Sequence, residues 1–273
     1  MLRDITLGQF FPGNSLLHKI DPRIKIIISI SYIVAVFLAT SASAYILLVC
    51  VTAALVIISR INVKVILKGM KPLIFIIILT SAINIFFTKG ATLLVSWWVI
   101  SIYAEGVVSA AFMAIRITSL LIGTSVILTY TTSPIALTDA IERLLSPLRV
   151  IKIPVHEFAM MMTIALRFIP TLIEETDKIM NAQKSRGSEF SSGGLVKRAK
   201  ALIPVLIPLF ISAFRRADEL AVAMECRCYR GGNGRTRMTK LHLHYYDFLT
   251  LLFMAAFIAG IVLIRKFYPI YSL

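Results

Sequence analysis

Acidic residues and cysteines are scarce in this chain of 273 residues. It has 14 aspartates and glutamates against 29 lysines and arginines, so its formal net charge is +15. Its three cysteines do not suggest a disulfide framework, and Cys50 lies in an apolar run where it fits as a small core residue. No secretory signal is expected before the first apolar run, because charged residues and turns interrupt the start of the chain.

Sequence signatures of catalysis are missing as well. There is no Gly-x-x-x-x-Gly-Lys-Ser/Thr loop for nucleotide phosphates, so we expect no ATP in a P-loop and no cofactor. His-Glu-x-x-His and Gly-x-Ser-x-Gly are also absent. A membrane-bound enzyme remains as an alternative on the strength of one small set of polar residues, Asp139, Glu142 and His156. The sequence therefore favours a protein that is not an enzyme.

Apolar residues make up 58% of the chain, and the mean hydropathy is +0.84. Ile26–Ser59 contains no charged residue or histidine over 34 positions, enough for two short spanning helices with a turn at Thr40–Ser43. The runs are solidly apolar, without the alternation of a membrane barrel. They predict an all-α polytopic membrane protein with about five spans, the other three coming from the runs near Pro72–Thr88, Gly106–Tyr130 and Phe248–Ile264.

Basic residues cluster beside alternate connections, as the positive-inside rule requires. They precede the first span and return between Arg60 and Lys71, whereas Thr88–Glu105 carries only one. This pattern predicts a cytoplasmic N-terminus in a prokaryotic plasma membrane. It also explains the basic charge without a nucleic acid partner. Arg265 and Lys266 are an exception to the rule, because the last span would leave them outside the cell. The predicted regions are 1–130 with four spans, 131–245 with cytoplasmic helices, and 246–273 with the last span.

Residues 131–245 mix charged and apolar positions in a helical pattern, which predicts long amphipathic helices at the cytoplasmic membrane surface. Ala201–Phe214 is uncharged, but Pro204 and Pro208 break it and argue against a span. An apolar stripe in this region comprises Phe158, Met161, Met162, Ala165, Phe168 and Ile169.

A short internal repeat occurs twice in this region. Asp177-x-Ile-x-x-Ala-x-x-x-Arg186 matches Asp218-x-Leu-x-x-Ala-x-x-x-Arg227, with the same nine-residue offset from the acid to the arginine. Gly187 and Gly231-Gly232 follow as helix-stop signals, which predicts an arginine at the tip of each helix. A cation in the last turn of a helix is favourable without any partner. Alternatively, two matched guanidinium tips suit two acidic grooves on a soluble partner.

The chain resembles the T-component family of energy-coupling factor transporters (EcfT/CbiQ), which has a short arginine motif at the end of each of two cytoplasmic coupling helices. The similar segments occur in family order between about residues 8 and 265. They are Gly8–Ser15, Leu17–Lys25, Thr132-Ser133-Pro134, Glu142–Leu148, Leu166–Pro170, Ser185-Arg186-Gly187 and Cys226-Arg227-Cys228. The cysteines on both sides of Arg227 depart from the small residues usual in the family, which puts partner selectivity in doubt.

The resemblance implies a coupling subunit for uptake of vitamins or other micronutrients. Its partners would be two ABC-type ATPase subunits, a non-identical pair, and a membrane-embedded substrate-binding subunit. The residues implied to dock the ATPases are Ser185, Arg186, Gly187, Cys226, Arg227 and Cys228. The apolar stripe from Phe158 to Ile169 is implied to form a platform for the substrate-binding subunit. The opening segment looks more like the shared vitamin-serving modules than the dedicated cobalt or nickel ones.

Three further hypotheses remain open. Cys226-x-Cys228 with His242-x-His244 has a zinc-like composition, but zinc favours wider spacing between paired cysteines. Arg116 interrupts the fourth span, where a structural ion pair with Glu105 or another helix is favoured over a transport role. A self-contained secondary transporter would need inverted repeats or charged sites at mid-membrane, and neither is clear.

Overall fold

The structure is a computed structural model that describes residues 10–90, 92–97, 100–188, 190, 194–231 and 243–267. Ten α-helices and one hairpin account for most of these residues. The α-helices are α1 (Leu16–Lys19), α2 (Pro22–Leu38), α3 (Ala42–Ser59), α4 (Val63–Met70), α5 (Ile74–Phe87), α6 (Ala104–Thr124), α7 (Pro134–Leu144), α8 (Val155–Ser185), α9 (Leu195–Cys226) and α10 (Tyr245–Phe267).

Shorter elements join these helices. A 3₁₀ turn at Lys71–Leu73 joins α4 to α5, a π-helical turn at Ser125–Thr129 extends α6, and a 3₁₀ helix at Ser146–Ile151 precedes α8. Strands β1 (Leu93–Trp97) and β2 (Ile100–Tyr103) pair antiparallel between α5 and α6. This small hairpin was not predicted from the sequence.

The described residues divide into two compact units. One comprises those within Gly8–Leu137 and Leu241–Leu273, and the other those within Thr138–Lys240. In the first unit, the last helix of the chain packs on α2 and α3. The second unit contains most of α7 and all of α8 and α9, and α8 packs against α9.

Five helical segments within the described residues are long and apolar enough to cross a membrane, which confirms an all-α polytopic membrane protein. They are Ala42–Ser59, Val63–Phe87, Ala104–Thr129, Val155–Ser185 and Tyr245–Phe267. The number agrees with the sequence prediction, but the membership differs by one. Helix α2, with 17 residues, is one residue shorter than the shortest of these segments, and α8 is among them because its stretch from Phe158 to Ile173 carries a single charge, Arg167.

The core of the first unit is centred on Tyr32 of α2, which is fully buried. Its hydroxyl donates to the carbonyl of Ser119 at 2.9 Å and lies 2.7 Å from the hydroxyl of Thr52. Its ring stacks on Phe257 with centroids 6.4 Å apart. A Cβ at Gly123 would overlap the Tyr32 ring, so α6 approaches α2 closely at this point. These contacts join α2, α3, α6 and α10 around one side chain.

Helix starts in the same unit follow local capping rules. The Asp21 carboxylate accepts from the Arg23 N–H at 2.9 Å, and Pro22 occupies the first helical position of α2. Asn62 accepts from the Lys64 N–H at 3.0 Å to begin α4. The expected turn between the first two apolar helices is confirmed, since α2 ends at Leu38 and α3 begins at Ala42.

One long helix contains the two prolines that argue against a membrane span in the sequence. Helix α9 runs without interruption through Pro204 and Pro208 for 32 residues. Each proline removes one i→i−4 hydrogen bond, yet the remaining turns keep the helix continuous. The long helix predicted for this region is therefore present, and it is not among the segments long and apolar enough to cross a membrane.

Candidate functional site

The two arginines of the internal repeat occupy the same place in their helices. Helix α8 ends at Ser185 with Arg186 as its C-cap, and α9 ends at Cys226 with Arg227 as its C-cap. The positions of Arg186 and Arg227 at helix tips, predicted from the repeat, are thus confirmed. A cation at this place interacts favourably with the negative end of the helix dipole.

A Schellman motif closes α8. The N–H of Gly187 donates to the Lys184 carbonyl at 2.9 Å, and the N–H of Ser188 donates to the Gln183 carbonyl at 3.0 Å. Gly187 has a φ of +88°, in the left-handed region that this motif requires and that glycine adopts without a steric cost. The prediction that Gly187 stops α8 is confirmed.

Helix α9 ends in the same motif without a glycine. The N–H of Cys228 donates to the Glu225 carbonyl at 2.8 Å, and the N–H of Tyr229 donates to the Met224 carbonyl at 3.0 Å. Cys228 has a φ of +56°, so a residue with a Cβ stands where α8 has glycine. Gly231, expected to stop this helix, lies beyond the completed motif, so that prediction is wrong.

Both tips are accessible. The side chains around them are exposed, and within the described residues neither guanidinium has a hydrogen-bond or ion-pair partner. At each tip the backbone groups are therefore hydrogen-bonded within the Schellman motif, and the guanidinium group can still bind another molecule. The exposed residues are Ser185, Arg186, Gly187, Cys226, Arg227 and Cys228.

An ion pair joins α8 to α9 at equivalent positions of the repeat. Arg216 Nη2 lies 2.7 Å from Glu175 Oε2, and both side chains are partly buried. The two residues are 41 positions apart, the same interval that separates Arg186 from Arg227. Each tip is thus 11 residues beyond the pair, about 16 Å along its helix at about 1.5 Å per residue. The helices meet at a point that lies equally far from both tips.

This pair was missed in the sequence, although a signal existed. Aligning the two halves of the repeat places an acid at 175 and a base at 216, and opposite charges at equivalent positions attract wherever two copies cross.

The apolar stripe on α8 is open to contact. Phe158, Met161 and Met162 are exposed by 53%, 58% and 41%, which is high for large apolar side chains. Further along the same stripe, Ala165 is exposed and Phe168 and Ile169 are half-buried. The neighbouring Met160 is half-buried, so the three consecutive methionines do not share one environment.

A second exposed apolar row lies on α9, opposite the face that contains the buried Val205. This row was not singled out in the sequence, although its residues follow one another at helical spacing along α9. The row consists of Ile203, Ile207, Phe210 and Phe214.

Two of the three residues suggested for catalysis, Glu142 and His156, contact each other. His156 Nδ1 lies 3.0 Å from Glu142 Oε1. Among the described residues, no group of three or more His, Cys, Asp or Glu side chains could hold a metal. His242 of the hypothetical zinc set lies outside the described residues.

Arg116 in α6 has a structural environment made of neutral groups. Its Nη2 donates to the Ala39 carbonyl at 3.1 Å and to the Tyr45 hydroxyl, and the guanidinium carbon lies 5.6 Å from the centroid of the Tyr45 ring. No carboxylate among the described residues lies within ion-pair distance of it. The predicted ion pair with Glu105 is not formed, and Arg116 instead fastens α6 to the α2–α3 turn.

Comparisons with known proteins agree on one family. A family model described as cobalt transport protein (CbiQ) matches residues 13–239. The energy-coupling factor transporter transmembrane protein EcfT of Ruminiclostridium cellulolyticum is 58% identical over 265 residues, which cover 97% of this chain and 98% of that protein. EcfT proteins of Clostridium kluyveri and Lactococcus lactis are 55% and 45% identical, over 92% and 96% of this chain and 93% and 98% of theirs.

Proposed function

This chain belongs to the EcfT/CbiQ family and is the transmembrane component of a multi-subunit energy-coupling factor transporter, and we propose that it is the non-catalytic coupling subunit. In this proposal, Arg186 and Arg227 dock two cytoplasmic ATPase subunits. The exposed stripe on α8 carries the membrane-embedded subunit that binds the vitamin or other micronutrient. The N-terminus lies in the cytoplasm, as the basic clusters predict.

The matched pair of helix tips is the observation that carries the proposal. Each arginine follows the last turn of a long helix, and a Schellman motif satisfies the backbone around it. A guanidinium held in this way keeps its donors for an external carboxylate. Since the two tips differ in their neighbours, Gly187 against Cys228, we propose that they receive two non-identical ATPases.

The ion pair between Glu175 and Arg216 supports a mechanism for coupling. It holds α8 and α9 together at equal distance from both tips. When ATP binding draws the two ATPases together, Arg186 and Arg227 move with them, and the crossing angle of the helices changes about this point. The exposed apolar rows on α8 and α9 turn with their helices and reorient the subunit packed on them.

Methionine supports the platform assignment because its flexible, polarisable side chain adapts to different partner surfaces. Met161 and Met162 are both exposed on the stripe. The proposed platform is the set Phe158, Met161, Met162, Ala165, Phe168 and Ile169.

The decisive experiment replaces both tip arginines. We expect the Arg186→Ala/Arg227→Ala variant to reach the membrane but to recover far less ATPase when the tagged chain is purified from native membranes, and to lose transport. The matched control is Arg198→Ala/Arg215→Ala, which removes two exposed cations from the body of α9. Wild-type ATPase recovery and transport by the tip variant would refute the docking role.

The same purification separates this function from the alternatives. Two different copurifying ATPases support a non-identical pair, and one type supports a symmetric module. Transport by the chain alone in proteoliposomes, without ATP, would instead show a secondary transporter. Consumption of a lipid or other substrate by the purified chain would show an enzyme.

A further inference from the structure

An apolar groove of about 500 Å³ runs between α3, α4 and α6 in the first unit. Its volume is within the range of about 300–1,000 Å³ typical of small-molecule sites. Most lining side chains are aliphatic, among them Ala53, Val56 and Ile57 of α3 and Ile115 of α6. The Thr52 hydroxyl on the wall is already bonded to the Leu48 carbonyl and to Tyr32. The groove therefore offers an occupant little except an apolar surface.

The helices that form the groove place it within the bilayer in our inference. Both α3 and α6 have the length and composition of membrane-spanning helices. Ile57 and Val63 on its wall are exposed by 74% and 54%, so nothing among the described residues covers them. Within a bilayer, the apolar group available to fill such a groove is a lipid acyl chain.

Helix α4 adds a row of charges to one side of the groove. Val63, Ile66 and Leu67 line the groove, while Lys64, Lys68 and Lys71 follow each other at helical spacing on the adjacent face. All three lysines are exposed. Helix α4 is the first part of the apolar segment Val63–Phe87, and this division, apolar on one face and basic on the next, is typical of the place where such a segment meets the membrane interface.

These cations are not neutralised by any acidic side chain among the described residues. Arg60, the C-cap of α3, adds a fourth positive charge, and no aspartate or glutamate occurs anywhere in residues 22–104. None of the four side chains has an ion-pair or hydrogen-bond partner among the described residues. A ligand for this place must therefore combine a long apolar part with a negative group at its end.

We propose that the groove binds a phospholipid with an anionic headgroup. One acyl chain lies between α3, α4 and α6, and the phosphate and headgroup lie against Lys64, Lys68 and Lys71. Anionic headgroups are attracted by lysines at a membrane surface, and the attraction decreases as salt is added. The inference does not depend on the docking role of Arg186 and Arg227.

Native mass spectrometry of the full-length chain tests the inference. The purified chain is equilibrated with equal amounts of phosphatidylglycerol and phosphatidylcholine of the same acyl composition, and the ratio of the two bound lipids is measured. We expect phosphatidylglycerol to be preferred. In the Lys64→Gln/Lys68→Gln/Lys71→Gln variant, we expect that preference to fall on the order of 100-fold, since each lysine contributes about five-fold.

The matched control removes three exposed cations from the other unit, through Lys197→Gln/Arg198→Gln/Lys200→Gln. It should leave the preference unchanged. Ala53→Phe fills the groove and should reduce retention of both lipids. If the triple variant does not fold, Lys68→Gln alone should lower the preference by about five-fold.

Three results would overturn the inference. Equal retention of the two lipids by the wild type would mean that the lysines serve membrane topology only. An equal effect of the control triple would mean a non-specific charge effect. Unchanged lipid retention in Ala53→Phe, or a protein subunit crosslinked to Ile57, would place something other than a lipid chain in the groove.

Discussion

The Asp247 carboxylate accepts a hydrogen bond from the backbone N–H of Asp21 at 2.8 Å, across 226 residues of sequence. Its other oxygen accepts from the N–H of His244, just before α10, also at 2.8 Å. Asp21 in turn caps α2 by accepting from Arg23. Asp247 is 1% exposed, so this one carboxylate satisfies donors at the starts of two helices where water does not reach it.

Removing this carboxylate should destabilise the first unit. Asp247→Ala leaves two N–H groups without their acceptor, which we expect to cost about 2–4 kcal/mol of unfolding free energy. Thermal unfolding of the detergent-solubilised chain measures the loss. Leu252→Ala, on the same helix at a side chain that is 71% exposed, is the control and should have little effect. An Asp247→Ala chain that unfolds with the wild type would show that neither bond contributes.

The contact between Gly123 and Tyr32 leads to a second prediction. A methyl group at position 123 would overlap the Tyr32 ring, so Gly123→Ala should cost about 1–3 kcal/mol through overpacking. In Gly123→Ala/Tyr32→Leu, the smaller leucine side chain leaves room for the new methyl group. The double variant should therefore lose less stability than the sum of the losses in the two single variants.

Gly260→Ala is the matched control for this experiment, since its methyl group would lie 3.6 Å from Leu47, an ordinary van der Waals contact. We expect it to be neutral or stabilising, because alanine favours helix more than glycine does. If both glycine variants lose the same stability, the close approach to Tyr32 is not the cause.

Most of the membrane helices could be predicted from charge-free apolar runs, because a bilayer admits few unpaired charges and selects for length. The break between α2 and α3 followed from the small polar residues after Leu38. The inclusion of α8 among these helices could not be predicted in this way. Its first half is apolar and its second half is charged, so its sequence fits both a membrane-spanning helix and an amphipathic helix at the membrane surface. The bond from Asp21 to Asp247 was out of reach, because nothing local marks a contact over such a separation.

The helix tips could be predicted in position but not in detail. An arginine followed by Gly187 carries a direct stop signal, and the structure agrees. At the end of α9 the left-handed residue of the motif was expected at Gly231, because a cysteine rarely adopts that conformation, but it is Cys228. The pairing of Glu175 with Arg216 could not be predicted without knowing where α8 and α9 cross, although the 41-residue interval of the repeat already related the two positions.

Charge reversal across the α8–α9 contact should test the crossing. Glu175→Arg or Arg216→Glu alone places like charges at a site where 2.7 Å now separates opposite ones, so each should impair transport and lower thermal stability. The stability change should be modest, about 0.5–1 kcal/mol, because the pair is only partly buried.

The double variant Glu175→Arg/Arg216→Glu restores opposite charges and should recover much of both properties. Arg215→Glu, a reversal at the exposed neighbour, is the control for charge alone and should leave transport near the wild-type level. Failure of the double variant to improve on both single variants would mean that the pair does not hold the helices together.

The left-handed conformation of Cys228 gives the last prediction. Its φ of +56° crowds the Cβ, and glycine takes this conformation freely at the equivalent Gly187. Cys228→Gly should therefore stabilise the end of α9 by about 0.5–1 kcal/mol, whereas the β-branched Cys228→Val should destabilise it.

Hydrogen exchange of the Tyr229 amide, which closes the motif on Met224, measures both changes locally. Cys226→Ala, one residue before the arginine and within the helix, is the control and should leave the exchange of this amide unchanged. If Cys228→Gly instead speeds exchange at Tyr229, the cysteine side chain stabilises the tip by a contact that outweighs its backbone strain.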